Sequence, residues 1–266
     1  MSVKELLNKE NYVFDDLLEI MKILRSENGC PWDREQDHRS IRNAFVEEVY
    51  EAIEGIDTGD DDILKEELGD VLLQVVFHAR IAEEESSFDI NDVTDGVCKK
   101  LILRHPHIFS DVDAKTSEEV LRNWDEIKKV EKHQKSHTDT LRAVSPAMPS
   151  LQRASKLQAK AAKCGFTYKD ADDAFSKVSE EYLELKGALK DSNPDNINEE
   201  IGDLLFAVAN VARLCGINPE EALYRSNDKF IGRFDMLEKT CIEQNKELCE
   251  LNVNEMIDIW RKNKNL

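Results

Sequence analysis

The chain contains two acidic blocks, residues 45–51 (FVEEVYE) and residues 66–72 (EELGDVL). A shift of 133 positions, from 45 to 178 and from 66 to 199, places these blocks on residues 178–184 (VSEEYLE) and 199–205 (EEIGDLL). The gap between the two blocks is the same in both copies. Self-similarity at a fixed offset predicts a duplicated domain.

The length of 266 residues also favours two modest domains over one large core. Between the copies, residues 133–150 include Ser145, Pro146 and Pro149, a composition that is typical of a linker. We therefore predict an N-terminal domain at residues 1–140 and a C-terminal domain at residues 141–266, with the linker at about residues 133–150.

Both copies are predicted to be helical. Apolar residues recur at three- and four-residue spacing from Leu68 to Ala79 and again from Ile201 to Ala212. The chain has only 10 Gly and 6 Pro, so long regular elements with few turns are expected. No segment alternates apolar and polar residues with period two. The predicted fold class is all-α, a tandem repeat of a helical-bundle domain.

The net charge of −19 argues against a nucleic-acid polymer or an anionic membrane as partner, because the field of the protein would repel phosphate chains. A small phosphorylated ligand stays compatible with this charge if cations bridge it to the protein. No apolar run is long enough to span a membrane, and the first 20 residues are too charged for a signal peptide. We expect a soluble, cytoplasmic protein.

The acidic blocks predict a metal site in each copy. Glu48 and Glu51 share one face of a helix because they are three residues apart, and so do Glu67 and Asp70. A turn sequence around Gly59 lies midway between the pairs, so an antiparallel helix hairpin brings both pairs to the same height. The second copy repeats this arrangement. The predicted metal ligands are Glu48, Glu51, Glu67, Asp70, Glu181, Glu184, Glu200 and Asp203.

The alternative is a solvated acidic face, on which Lys or Arg would alternate with the acids. No basic residue stands three or four positions before or after Glu48, Glu67 or Glu200. Glu181 alone has such a neighbour, Lys177. Two carboxylates ~4 Å apart repel by about 4 kcal/mol at an effective dielectric near 20, so the cluster needs cations. Mg²⁺ is the predicted cofactor because it prefers oxygen ligands, and Mn²⁺ is its substitute.

Magnesium with open coordination positions favours phosphate chemistry, which also needs cations from the protein. Lys100 and Arg104 are four residues apart on a predicted helix, and Lys229 and Arg233 repeat this spacing. Each pair can bind a polyphosphate, although basic residues on helices usually only face solvent. The sequence also places Trp124 and Trp260 near the ends of the copies, where each can stack on a base or serve as a packing anchor. No P-loop or GxGxxG pattern is present.

Further motifs accompany the acidic blocks: residues 30–33 (CPWD), 104–109 (RHPHIF), 124–128 (WDEIK) and 156–162 (KLQAKAA). Together they closely resemble the tandem-domain MazG family of nucleoside triphosphate pyrophosphohydrolases. The resemblance covers nearly the whole chain. It implies an all-α fold whose domains dimerise to complete the sites, giving a homodimer. It also implies Mg²⁺-dependent hydrolysis of ribo- and deoxyribonucleoside triphosphates between the α and β phosphates.

The resemblance also implies roles for single residues. In the C-terminal copy the family's metal ligands fall on Glu181, Glu184, Glu200 and Asp203. Its nucleotide contacts fall on Lys177 to Glu181, Asn196 to Glu199, Lys229, Arg233 and Trp260. The N-terminal counterparts are Glu48, Glu51, Glu67, Asp70, Lys100, Arg104 and Trp124. In the family the C-terminal copy is usually regarded as the working enzyme. Two departures stand out: Gln74 becomes Ala207 in the second copy, and Asp37 stands where the family commonly has threonine.

The working hypothesis is attack of an activated water on the α phosphorus, with Glu180, Glu181 or another glutamate of that cluster taking the proton. The carboxylates proposed to act in catalysis are Glu180, Glu181, Glu184, Glu200 and Asp203. Lys229 and Arg233 would stabilise the pyrophosphate leaving group. Two alternatives stay open at this point: a regulatory module that binds nucleotide and metal with one or both copies catalytically silent, and a helical dimer in which metal is only structural.

Overall fold

The computed structural model describes residues 3–110, 112–132, 134–244, 246–248 and 251–262, with the side chains of residues 125 and 262 left aside. Contacts divide the chain into two compact units, Met1–Lys128 and Lys129–Leu266. The predicted linker holds a short helix, His137–Arg142, followed by non-helical residues 143–149. His133, at the start of that linker, lies outside the described residues.

The described residues form helices and no strand, so the all-α prediction is confirmed. The first eight helices are α1 Val3–Leu7, α2 Phe14–Leu24, α3 Pro31–Glu35, α4 Arg42–Thr58, α5 Asp61–Glu84, α6 Ile90–Arg104, α7 Pro106–Phe109 and α8 Ser117–Glu131. They are followed by α9 His137–Arg142, α10 Ser150–Ala162, α11 Ala171–Asp191, α12 Pro194–Leu214, α13 Pro219–Glu243 and α14 Val253–Lys262.

In unit 1 the acidic blocks lie on the hairpin formed by α4 and α5. Gly59 ends α4 with φ 69°, a left-handed conformation that glycine adopts without steric cost. Asp60 then caps α5 by accepting hydrogen bonds from the backbone N–H groups of Asp62 and Ile63. The helices approach closely at Gly55, where an added Cβ would lie 2.7 Å from the backbone nitrogen of Leu64. The hairpin thus depends on glycine at both places.

In unit 2 the corresponding hairpin is α11 and α12. Ser192 ends α11 in the same left-handed region, with φ 52°, at the position 133 residues after Gly59. The side chain of Asn193 accepts a hydrogen bond from the Asp195 N–H, and Pro194 occupies the first turn of α12. The two hairpins have the same turn geometry, which confirms the duplication predicted from sequence.

Each unit has its own buried cluster. In unit 1, Met21 of α2 and Ile41 pack against α5 through Val76, Phe77 and Ile81. In unit 2, a smaller cluster joins α13 to residues near α14 through Leu237, Cys241 and Leu251. These cores fix the C-terminal half of α5 and of α13, whereas the first half of α5 carries the acidic residues.

The apolar stripe predicted along α5 divides into two parts. Val76 and Ala79 are buried, but Leu68 is 54% exposed and Leu72 is 40% exposed. The periodicity therefore identified the helix correctly, while only its second half is covered within the chain. Among the described residues, no helix combines the length and apolarity needed to cross a bilayer.

Candidate metal and nucleotide site

The α4–α5 hairpin brings three carboxylates together in unit 1. One oxygen each of Glu48, Glu67 and Asp70 lies within 4.8 Å of the others, and all three side chains are half-buried. The helical spacing explains this, because Glu48 lies on α4 opposite the Glu67–Asp70 face of α5. Glu51 is exposed and outside the trio. We call Glu48, Glu67 and Asp70 the N-terminal acidic cluster.

Crowding perturbs this cluster. Burial raises the pKa of Glu48, and the charge of Asp70 raises it further, while a weak hydrogen bond from Gln74 (Nε2 to Oε1, 3.4 Å) opposes both. Burial also raises the pKa of Glu67, with Glu51 as the next contributor. The Oε2 atom of Glu67 is buried without a hydrogen-bond partner among the described residues. Protons or cations are therefore favoured at this place.

The α11–α12 hairpin repeats the arrangement with a different trio. Here Glu181, Glu184 and Glu200 lie within 4.8 Å of one another through one oxygen each, and we call them the C-terminal acidic cluster. Glu181 is buried, Glu200 half-buried and Glu184 exposed. Asp203 is exposed and outside the trio, although its charge contributes to raising the pKa of Glu200 after the larger effects of burial and Glu181.

Lys177 distinguishes the C-terminal acidic cluster from its N-terminal counterpart. Its Nζ lies 2.7 Å from Glu181 and 2.8 Å from Glu180, so the basic neighbour noted in the sequence does form ion pairs. Hydrogen bonds to Glu180 and then Glu181 raise the pKa of Lys177, which stays charged. The pKa of Glu184 is raised, first by a hydrogen bond to the Glu181 carboxyl. The equivalent of Lys177 in unit 1 is Ala44, which offers no charge.

The donor sets fit a hard divalent cation. Every donor in both clusters is a carboxylate oxygen, and Mg²⁺ and Mn²⁺ prefer such ligands. The buried Oε2 of Glu67 supplies an acceptor that no protein donor satisfies. Neither histidine nor cysteine belongs to the two trios, so a soft-metal site is not formed by them.

The predicted phosphate and base contacts of unit 1 lie at the end of α6 and on α8. Lys100 is exposed, whereas Arg104 is buried. The Arg104 guanidinium lies over the Trp124 ring, 5.2 Å from its centre, and His105 meets the same ring edge-on. Arg104 and Trp124 thus pack on each other. The sequence did not predict this contact, because the two residues lie on different helices.

In unit 2 the arginine is more accessible than its counterpart, while the lysine and the tryptophan have the same exposure as in unit 1. Lys229 is exposed and Arg233 half-buried, one helical turn apart on α13. Trp260 of α14 packs on Phe230 with ring centres 5.2 Å apart. Asn196 is half-buried in the first turn of α12, and Glu199 is exposed beside Glu200.

One group near the hairpin was missed in the sequence. His38 and His78 meet through their Nδ1 atoms at 2.8 Å, with stacked rings. The two residues are 40 positions apart. Helical periodicity relates only residues that are a few positions apart, so the sequence did not predict this contact.

Comparison with known proteins agrees with the geometry. A family model described as the MazG nucleotide pyrophosphohydrolase domain matches residues 36–109 and residues 172–237. A Thermotoga maritima protein named nucleoside triphosphate pyrophosphohydrolase/pyrophosphatase MazG is 40% identical over 258 residues, 97% of this chain and 98% of that protein. The Escherichia coli K12 nucleoside triphosphate pyrophosphohydrolase is 40% identical over 251 residues, 93% of this chain and 95% of that protein. The uncharacterised Bacillus subtilis protein YabN is 45% identical over 94% of this chain, which spans 51% of YabN.

The two matched segments contain the two acidic hairpins, one in each unit. The matches therefore fall on the duplicated domain inferred from the 133-residue repeat, and the resemblance noted in the sequence is confirmed. The chain belongs to the MazG nucleotide pyrophosphohydrolase family and contains two copies of its domain.

Proposed function

We propose that the chain hydrolyses ribo- and deoxyribonucleoside triphosphates between the α and β phosphates, releasing monophosphate and pyrophosphate. The observation that carries this proposal is the pair of carboxylate trios, each within 4.8 Å, on the two hairpins matched by the family model. The names of the Thermotoga maritima and Escherichia coli relatives support the same activity. We place the enzyme in the cytoplasm, because its proposed substrates are the nucleotides kept there.

We propose Mg²⁺ as the cofactor. Glu181, Glu184 and Glu200 would hold it in unit 2, with Asp203 completing the set, and Glu48, Glu67, Asp70 and Glu51 are the unit 1 equivalents. When bound there, Mg²⁺ supplies charge neutralisation of phosphate oxygens and acidification of water. Mn²⁺ is expected to substitute because it accepts the same oxygen donors.

The C-terminal acidic cluster is proposed as the hydrolytic one, and its own side chains suit the chemistry. Glu180 is exposed beside the cluster and oriented by Lys177 at 2.8 Å, so its carboxylate is positioned to accept a proton from water. Lys229 and Arg233, one turn apart on α13, would bind the leaving pyrophosphate. Trp260 offers a ring for the base.

A regulatory role for unit 1 is a second candidate, and one observation favours it. Ala44 replaces the lysine that orients the glutamates of unit 2, and Arg104 is engaged with the Trp124 ring. Unit 1 therefore keeps the metal-binding carboxylates while lacking the paired lysine. We propose that it binds nucleotide and metal with little or no turnover.

We further propose a homodimer. Both hairpins present exposed apolar side chains beside their acidic faces: Tyr50 and Ile53 on α4 are 51% and 42% exposed, and Tyr182 and Leu183 on α11 are 55% and 63% exposed. Exposed apolar side chains of this extent favour association with another protein surface. A second copy of the chain is the proposed partner, and sedimentation should give twice the mass of one chain.

Pyrophosphate release tests the proposed function. The full chain is assayed on a panel of ribo- and deoxyribonucleoside triphosphates with Mg²⁺, beside Glu181→Gln/Glu200→Gln and Glu48→Gln/Glu67→Gln variants. We expect the first variant to lose about 100-fold or more in rate, and the second to lose little. Glu54→Gln, an exposed carboxylate on α4 outside the trios, is the matched control. Wild-type release by a variant lacking all four glutamates would refute the proposal.

A further inference from the structure

An open cavity of about 410 Å³ lies in unit 1 next to the His38–His78 pair. Its wall is mainly apolar, formed by Phe45 of α4, Val75 and Ala79 of α5, and Phe88 and Val93 around the start of α6. The two imidazoles and Arg42 supply its polar groups. A mostly apolar cavity with a few convergent polar groups is the usual form of a small-molecule site.

The histidine pair has a defined hydrogen-bonding character. With Nδ1 atoms 2.8 Å apart, one ring donates a proton and the other accepts it. In the neutral pair, the donating ring keeps a bare Nε2 and the accepting ring keeps an Nε2–H. Neither Nε2 has a hydrogen-bond partner among the described residues, and neither is enclosed. The pair therefore offers one acceptor and one donor side by side.

The environment of His78 favours its neutral form. Burial lowers the pKa of His78, and the proximity of His38 lowers it further. Phe45 packs against the His78 ring with centres 5.5 Å apart, which adds an aromatic face to the polar pair. A planar ligand can thus meet both an aromatic surface and a donor–acceptor pair.

The cavity lies on the same hairpin as the N-terminal acidic cluster. Phe45 precedes Glu48 by three residues of α4 and His78 follows Gln74 by four residues of α5, rises of about 4.5 Å and about 6 Å. Gln74 itself bonds to Glu48. The cavity wall thus begins one helical turn from Glu48, a separation that a pentose linking phosphate to base can span.

From this placement we propose that the His38–His78 cavity receives the nucleobase of a nucleotide whose phosphates lie at the N-terminal acidic cluster. The inference rests on the proposed function and names a base-binding group in unit 1. Base edges present donors beside acceptors, which the two Nε2 atoms complement. Unit 2 lacks the pair, since the positions 133 residues later are Ala171 and Val211. The two units therefore differ in how they recognise a base.

The test compares two probes on the full chain carrying Glu181→Gln/Glu200→Gln, which leaves the N-terminal acidic cluster as the intact one. With Mg²⁺ present, calorimetry measures the affinity for α,β-methylene deoxynucleoside triphosphates, which resist cleavage, and for inorganic tripolyphosphate. We expect the nucleotide analogues to bind at least about tenfold more tightly than tripolyphosphate. His78→Val, the residue found in unit 2, should remove that difference and leave the tripolyphosphate affinity unchanged. His137→Ala in unit 2 is the matched control.

A second measurement protects the test against a poorly folded variant. In the chain with native histidines, the imidazole proton resonances of His38 and His78 should shift with the nucleotide analogue and stay fixed with tripolyphosphate. Unchanged nucleotide affinity in a folded His78→Val variant, or equal losses for both probes, would overturn the inference. The inference would also be overturned if neither the nucleotide analogues nor tripolyphosphate bound. The proposed function is judged separately, by pyrophosphate release from the native chain and from the glutamate variants described above.

Discussion

Replacing Glu48 by glutamine should stabilise the metal-free protein. Glu48 is a half-buried member of the N-terminal acidic cluster, and its pKa is raised by burial and by the charge of Asp70. The substitution keeps the shape and the oxygen that accepts from Gln74, while it removes one negative charge. Relief of repulsion is therefore the main change.

The distance between the carboxylate oxygens of the N-terminal acidic cluster sets the size of the repulsion that the substitution removes. At 4.8 Å, the upper limit for the separation of these oxygens, two unit charges repel by about 3.5 kcal/mol at an effective dielectric near 20 and by about 0.9 kcal/mol in water. Because Glu48 is partly exposed, solvent screening moves the value toward the lower figure. We expect the free energy of unfolding of Glu48→Gln to exceed that of the native chain by about 1 kcal/mol at neutral pH without divalent cations.

The stability difference between Glu48→Gln and the native chain should depend on pH. A carboxyl whose folded pKa lies above its unfolded pKa binds protons more tightly in the folded state, so the stability of the native chain falls as pH rises through that window. The variant lacks the part of this fall that Glu48 contributes, and its advantage should vanish at pH values below the ordinary glutamate range. Urea unfolding in EDTA across pH, with Glu54→Gln as control, measures both effects. A variant less stable than the native chain at neutral pH would show that the carboxylates do not repel.

Three further changes have defined outcomes. Gly55→Ala should destabilise unit 1 by roughly 1–3 kcal/mol in urea unfolding, because its Cβ would press on the Leu64 backbone; equal stability would contradict that close approach. Ser192→Gly should stabilise unit 2 by about 0.5–1 kcal/mol, because glycine relieves the left-handed conformation, and a loss of stability would speak against the observed φ of 52°. Lys177→Gln should tighten binding of Mg²⁺ alone in calorimetry while weakening triphosphate binding, because the lysine occupies Glu181; parallel changes in both affinities would contradict this reading.

The hairpins were predictable because their signals are local. Acidic pairs at three-residue spacing and a turn midway between them define two antiparallel helices, and the left-handed residues Gly59 and Ser192 stand where the repeat places them. The sequence did not separate covered from uncovered apolar positions. Leu72 and Val76 follow the same periodicity on α5, yet only Val76 is buried, because periodicity shows which face is apolar and not what covers it.

The site was predictable only to the level of the helix face. Spacing placed four carboxylates in each copy, but the structure draws together a different trio in each, leaving out Glu51 in one and Asp203 in the other. Side-chain rotamers and the rotation of one helix against the next decide this, and neither is written in residue spacing. The sequence also did not predict contacts between distant residues, because a contact such as that of Arg104 with Trp124 forms only when separate helices pack together.

Counting bound Mn²⁺ by electron paramagnetic resonance tests the central claim, that the two acidic hairpins hold divalent cations. We expect two separable classes of site in the native chain, one lost in Glu48→Gln/Glu67→Gln and the other in Glu181→Gln/Glu200→Gln. Mn²⁺ binding that neither substitution changes would contradict it.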